Sequence, residues 1–190
     1  RTILEAYNKA LIFSNDPRWR IEHAQVIDTA DISLFNRKII PSVQPTHATS
    51  DMYWAEERIG SSRLNGAYAY KKLLDMSGRI SLGTDFPVEE VSPLLTFFAA
   101  VARQDKNLYP EGGYLSKNKL SRMEALSGMT KWGAYANFEE DQKGSIEVGK
   151  VADFIILDRD IILEKESNIL KTRIVATLLN GSIVYSNRIN

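Results

Sequence analysis

Two short segments each place a residue that can bind a metal or transfer a proton directly after a hydrophobic stretch. Residues 20–25 carry His23, and residues 81–87 carry Asp85. If both stretches are strands of a parallel α/β protein, their carboxyl ends converge at one edge of the sheet, where such enzymes place their chemistry. The sequence therefore predicts that His23 and Asp85 meet in one site.

The residue types suit metal-assisted hydrolysis, although each also has a structural interpretation. An imidazole such as that of His23 can ligate a metal through one nitrogen while the other is held by a neighbouring acceptor. The alternative is a histidine that is only hydrogen-bonded at a strand end. The Asp85 carboxylate can bind a metal and take a proton from water, or it can cap the turn before Pro87. Gly83 permits a close backbone approach, and Pro87 stiffens the exit of this segment.

Three further side chains are candidate substrate-binding residues. His47 is the second of the two histidines and lies just beyond the second predicted strand. It either orients a substrate or lies on a long loop. Arg58 and Arg63 flank Gly60 and can pair with a substrate carboxylate or phosphate, or form ordinary ion pairs with neighbouring glutamates. The chain contains no phosphate-binding glycine motif and no nucleophilic serine elbow.

Composition limits the class of protein. A chain of 190 residues with 44% hydrophobic content can bury a real core. The 24 basic residues balance 24 acidic ones, so charge favours neither nucleic-acid nor membrane-surface binding. Without cysteine, a metal site must use histidine and carboxylate, which suits zinc or a harder divalent ion. The lack of cysteine also indicates a cytoplasmic protein. No signal peptide or long apolar run is seen, but localisation stays open because the true N-terminus is not seen.

Strands and helices are predicted to alternate through most of the chain. The first half is predicted to contain an opening helix, a strand over 19–25, a helix capped by Asp28, a strand over 38–43 and a loop of about fifteen residues. A helix from Ser62 to Gly78 and a strand over 79–84 follow, and then helices capped by Ser92 and Ser121. The segment from Gly144 is β-rich, with a hairpin at Asn180 and Gly181. This alternation predicts a parallel sheet with helical crossovers. Three such strands cannot close an eight-stranded barrel, so we expect a partial barrel or a small open sheet.

Together these residues resemble the C-terminal part of the metal-dependent amidohydrolase superfamily. The resemblance is to its amidohydrolase-3 subgroup, which is similar to the N-substituted formamide deformylases and includes proteins labelled as exoenzyme regulators. The matching stretches occur in the family's order across nearly the whole chain, at residues 20–25, 44–52, 83–88 and 144–154.

The resemblance implies both a fold and a site. Residues 1–143 would form part of a (β/α)₈ barrel, and residues 144–190 would supply C-terminal strands of a β-sandwich. One or two divalent metals, usually zinc, would lie at the C-terminal face of the barrel. His23 would be a metal ligand, and Asp85 both a ligand and the general base for attack of water on an amide-type carbonyl. The substrate would be a small molecule with an amide, formamide, carbamate or cyclic imide C–N bond, contacted by the residues that match variable positions: His47, Arg58 and Arg63.

Several of the family's metal ligands have no counterpart in this sequence. The H-x-H pair after the first strand, the carboxylate or modified lysine near the fourth and the histidine after the fifth are missing. Because the chain lacks an initiator methionine and starts inside a predicted helix, we expect a C-terminal fragment of an enzyme. Alone it is expected to be inactive, with weak or absent metal binding. The alternative is a stand-alone regulatory or binding module without catalysis.

A partial barrel has consequences for association. It leaves an unpaired parallel strand edge and uncovered apolar strand faces, both of which favour self-association. The sequence therefore predicts a homo-oligomer.

Overall fold

Three short parallel strands form the sheet of the first part of the molecule. The structure is a computed structural model that describes residues 1–13 and 16–187. The strands are β1 (Trp19–Glu22), β2 (Ile39–Val43) and β3 (Ser81–Leu82), and they lie side by side in chain order. All neighbours are parallel, with Trp19 opposite Ile39 and Ser42 opposite Ser81. Their carboxyl ends therefore point in one direction.

The central strand is the most buried of the three. Ile39, Ile40 and Val43 of β2 are almost fully buried, as expected for a parallel strand covered on both faces. In β1, by contrast, Trp19 is partly exposed, and β1 pairs only with β2 among the described residues. The sheet thus has a buried centre and an exposed edge.

Eight α-helices lie in the described part of the chain. They are α1 (Thr2–Ala10), α2 (Pro45–Asp51), α3 (Ala55–Ile59), α4 (Tyr70–Ser77), α5 (Pro93–Ala102), α6 (Arg122–Met129), α7 (Lys131–Ala136) and α8 (Glu166–Ile169). Short 3₁₀ helices span Thr29–Leu34, Ser61–Gly66 and Ser116–Asn118. Helix α5 is the most apolar, and its Phe97 and Phe98 are fully buried in the core. Helix α6 lies so close to β3 that a Cβ at Gly128 would stand 2.7 Å from the Leu82 side chain.

The predicted helix termini are confirmed. The Ser92 hydroxyl accepts the Leu95 N–H, with Pro93 in the first helical position. Ser121 forms a complete capping box with Glu124. Gly78 ends α4 in the left-handed conformation that glycine adopts without strain.

Other predicted elements need correction. Strands β1 and β3 are shorter than expected, and the helix capped by Asp28 is a 3₁₀ helix. The loop after β2 contains α2 and α3, and the predicted continuous helix to Gly78 is broken into a 3₁₀ helix and α4. The break occurs because Tyr68 has a positive φ and donates its N–H to Gln25 instead of a helical partner. The Val43 carbonyl accepts the Gly83 N–H at 3.0 Å, but the side of Gly83 where a Cβ would stand is open, with no described atom within 4 Å.

The last part of the chain forms an antiparallel sheet of β4 (Phe154–Leu157), β5 (Ile174–Leu179) and β6 (Ser182–Ser186). The hairpin predicted at Asn180 and Gly181 is confirmed, with both residues at positive φ. Asp153 accepts the Asn180 N–H at 2.7 Å, so its carboxylate has a structural role here. The predicted division at residue 144 stays a prediction, and residues 188–190 lie outside the described part.

Among the described residues, no helix has the length and apolar character needed to cross a membrane.

Candidate metal centre

Three side chains from distant parts of the sequence meet at the carboxyl edge of the parallel sheet. Nε2 of His47 lies 3.2 Å from Oδ2 of Asp85, and Nδ1 of His23 lies 3.9 Å from the same oxygen. One potential ligand atom from each residue lies within 4.8 Å of the other two. The structure therefore brings His23 and Asp85 together, and it adds His47 to them.

Each of the three follows a strand. His23 comes directly after β1, and Asp85 lies three residues beyond the end of β3. His47 is in the first turn of α2, which begins two residues after β2. Because neighbouring parallel strands end at the same edge, three adjacent strands place all three side chains in one region.

The backbone at this edge is held in an uncommon conformation. His23, Ala24 and Asp85 have φ values of 64°, 42° and 61°. A non-glycine residue in this left-handed region costs on the order of 1–3 kcal/mol and persists only where the surrounding structure fixes it. The His23 N–H donates to the Ser42 carbonyl at 2.7 Å, which ties the turn to β2. Such positions cluster at functional sites.

The Asp85 carboxylate does not cap the following turn. The Thr84 hydroxyl accepts the Phe86 N–H at 3.2 Å, which is the capping contact that the sequence could have assigned to Asp85. The backbone carbonyl of Asp85, and not its side chain, accepts the Val88 N–H. The carboxylate is therefore directed toward the two histidines and is available for chemistry.

His47 is not on a long loop, as one interpretation had it. It lies in helix α2, which packs against the buried helix α5, and it is only 8% exposed. Its ring meets that of His23 edge to face at 5.8 Å between centroids. Its Nε2 is buried and has no hydrogen-bond partner among residues 1–13 and 16–187. A buried polar atom without a partner calls for an explanation, and a ligand is one.

A buried aspartate connects the His23 turn to the His47 helix. Asp51 lies one helical turn after His47, and its Oδ2 accepts the Gln25 side-chain amide at 2.6 Å and the Tyr68 hydroxyl at 2.8 Å. The Tyr68 N–H in turn donates to the Gln25 carbonyl. Burial, together with the Asp51 contact, raises the pKa of the Tyr68 phenol, so it remains a donor. Asp51 thus fixes two parts of the site relative to each other.

Sequence reasoning assigned no role to Asp51, Gln25 or Tyr68. The available signal was positional, because Gln25 follows His23 by two residues and Asp51 follows His47 by four. A spacing of four places Asp51 on the same helix face as His47.

Replacing Asp51 with alanine is expected to destabilise the chain by about 2–4 kcal/mol, because the buried Tyr68 hydroxyl and the half-buried Gln25 amide lose their acceptor, and each unsatisfied buried group costs roughly 1–3 kcal/mol. Chemical denaturation of the purified chain measures this loss. Asp75→Ala is a suitable control because that carboxylate is exposed and pairs with Lys71. A loss of stability for Asp51→Ala no larger than that for Asp75→Ala would show that Asp51 does not hold the His23 turn against α2.

The two arginines lie outside the cluster of His23, His47 and Asp85. Arg58 is in α3 and Arg63 is in the following 3₁₀ helix, and both are exposed. Neither forms a side-chain hydrogen bond or an ion pair within the described ranges, so the expected ion pairs with neighbouring glutamates are not formed. Their substrate contact stays a prediction.

The donor set fits a zinc ion. Zinc in proteins is bound by imidazole nitrogen and carboxylate oxygen, and catalytic sites use three protein ligands with a further open position. Two imidazoles and one carboxylate meet that requirement, and the unpartnered Nε2 of His47 is the observation that supports it. Harder divalent ions accept the same carboxylate but favour imidazole less.

Comparison with known proteins identifies relatives over almost the whole chain. The sequence pattern of the amidohydrolase family matches residues 2–185. The chain is 32% identical over 167 residues to the putative amidohydrolase YtcJ of Bacillus subtilis, covering 87% of this chain and 32% of that protein. It is 26% identical to the N-substituted formamide deformylase of Arthrobacter pascens, with coverage of 96% and 34%.

A solved structure is similar over a comparable share of the chain. The crystal structure of an uncharacterized metal-dependent hydrolase from Pyrococcus horikoshii superposes with a TM-score of 0.69 at 33% identity, covering 86% of this chain and 32% of that one. The α/β fold is therefore shared with known metal-dependent hydrolases. The chain spans about a third of the length of the relatives it matches.

Proposed function

The chain belongs to the amidohydrolase family, and from this premise we propose that it supplies part of the active site of a metal-dependent hydrolase that cleaves a C–N bond in a small molecule. The observation that supports the proposal best is the meeting of His23 and Asp85 at the carboxyl edge of a parallel sheet. That edge is where enzymes of parallel α/β architecture place their chemistry.

In the proposed mechanism, the His23 imidazole and the Asp85 carboxylate would hold a divalent ion, zinc by donor type. When bound, the ion polarises the scissile carbonyl and lowers the pKa of the attacking water. The Asp85 carboxylate takes a proton from that water and returns it to the departing amine nitrogen. The carboxylate can act in this way because it lies beside two histidines and does not cap the following turn.

We propose that further groups of the active site lie elsewhere in a longer protein, so that these 190 residues alone do not turn over substrate. We also propose that the parallel sheet is part of a (β/α)₈ barrel and that residues 144–190 contribute to a β-sandwich. One or two metal ions and a cytoplasmic location belong to the same proposal.

The substrate class is proposed from chemistry and kinship. A metal and a carboxylate base suit amide-type carbonyls, which include formamides, carbamates and cyclic imides. The relative named N-substituted formamide deformylase supports formamides as the first class to assay. Arg58 and Arg63, exposed and without a described ion-pair partner, are proposed to contact the substrate when it carries an anionic group.

A panel of N-alkyl and N-aryl formamides, with released formate as the readout, tests the proposal on the longer protein. We expect hydrolysis that a chelator abolishes and added zinc restores. A fully zinc-loaded protein without hydrolytic activity on amides, carbamates or imides would favour the alternative, a non-catalytic regulatory or binding module.

We also propose that the isolated chain self-associates. Strand β1 is an edge strand in the described sheet, and Trp19 on it is 40% exposed. An unpaired edge beside exposed apolar surface favours pairing with a second copy. Light scattering at high protein concentration is expected to give the mass of a dimer or larger species, and the mass of a monomer would contradict the proposal.

A further inference from the structure

The burial of His47 and the position of its Nε2 are not needed for a residue that only contacts substrate. Its ring is buried in helix α2, yet its Nε2 faces Oδ2 of Asp85 at 3.2 Å. Despite this distance, the nitrogen makes no hydrogen bond to the carboxylate or to any other described group. An N–H that is not aimed at the nearest acceptor gives little stabilisation, because hydrogen bonds weaken steeply away from linearity. The position is therefore poorly explained by a histidine that merely orients Asp85.

The spacing of the three donors suits a common ion better. Two atoms that bind one zinc at about 2.0–2.1 Å in a tetrahedron lie roughly 3.3 Å apart. The His47 and Asp85 atoms are 3.2 Å apart, and the His23 and Asp85 atoms are 3.9 Å apart. To complete the arrangement, the half-exposed His23 side chain has to move by about 0.6 Å toward Asp85 and by up to about 1.5 Å toward His47.

The scaffold holds His47 rigidly in this place. Pro45 occupies the first turn of α2, and the helix packs against α5. Asp51, one turn later, is fixed by Gln25, which belongs to the turn that carries His23. The hydrogen bonds of Asp51 thus hold the turn that carries His23 against the helix that carries His47, and such support preorganises a site.

We propose that His47 is a metal ligand through Nε2, so that His23, His47 and Asp85 form a three-donor zinc site within these 190 residues. The inference rests on the proposed function and extends it, because the family resemblance assigned His47 only to substrate contact. It also revises the expectation of weak or absent metal binding. Three protein donors and one open position are a sufficient set for a catalytic zinc.

Zinc binding to the tag-free chain tests the inference without any assay of activity. The affinity is measured by competition with a chromophoric chelator, and the number of bound imidazoles by X-ray absorption at the zinc edge. His47→Phe keeps the buried aromatic ring and removes the lone pair. Thr46→Val is the matched control, since Thr46 is the buried neighbour on α2 whose hydroxyl also has no described partner.

We expect one zinc with two imidazoles in the wild-type chain and in Thr46→Val. In His47→Phe we expect one imidazole and an affinity at least tenfold weaker. One imidazole in the wild-type chain would overturn the inference and leave the proposed function standing, because His23 and Asp85 would still hold the metal. A wild-type chain that binds no zinc would also overturn it, and the zinc content of the longer protein would then decide the proposed function separately. The number of bound imidazoles is measured on the wild-type chain, so this result does not depend on whether a variant folds.

Discussion

If the longer protein is the hydrolase proposed above, Asp85→Asn is expected to lower its kcat at least a thousandfold with little change in stability. Asparagine has nearly the same shape but cannot accept a proton from water, and proton transfer by a positioned group contributes about 10²–10⁴-fold. It is also a weaker metal ligand, so the two losses combine. The carboxylate makes no capping contact, because Thr84 performs that task.

Steady-state kinetics with formate release, together with thermal unfolding, measures both effects. Glu89→Gln is the matched control, because Glu89 lies four residues later and accepts a hydrogen bond from Ser50 outside the cluster of His23, His47 and Asp85. Turnover of Asp85→Asn close to that of the control would remove Asp85 from the mechanism.

His23→Ala is expected to reduce kcat/KM by about 10²–10³-fold and to lower the zinc content, because an imidazole ligand is lost. The fold should persist, since the His23 side chain is 47% exposed and its backbone N–H, which donates to Ser42, remains. Exogenous imidazole can enter such an open position, so we expect it to restore part of the activity.

Glu22→Gln serves as the control for this prediction, since Glu22 is the exposed preceding residue and pairs with Arg20. It should retain zinc and activity. A His23→Ala protein with the zinc content and turnover of Glu22→Gln would exclude His23 as a ligand.

The sequence was sufficient where local signals decide the structure. The Ser92 and Ser121 caps, the Gly78 terminus and the Asn180–Gly181 turn depend on residues within a few positions of one another, and all are confirmed. The meeting of His23 and Asp85 was also predictable, because parallel strands end at one edge.

Other features depend on contacts between distant residues. The helix expected from Ser62 is interrupted where the chain pairs with residues some forty positions earlier: the Tyr68 N–H donates to the Gln25 carbonyl and the Ile27 N–H donates to the Gly66 carbonyl. Helix α2 was mistaken for loop because it has only seven residues and begins at Pro45, directly after β2. Packing against α5 stabilises it, and no local pattern reports that contact.

The role of Asp51 was hidden for the same reason. Its partners Gln25 and Tyr68 lie 26 and 17 positions away, so only the folded chain shows that it joins the His23 turn to α2. The burial of His47 likewise depends on contacts between distant parts of the chain and could not be predicted from the sequence.

Zinc content by elemental analysis shows whether His23 and Asp85 bind the metal. The samples are the longer protein and its His23→Ala/Asp85→Asn double variant, both purified without chelator. We expect about one or two zinc ions per chain in the wild-type protein. We expect the double variant to lose zinc while it remains folded. Equal zinc in the two proteins, or hydrolytic activity in a wild-type protein free of metal, would contradict the proposed metal-dependent mechanism.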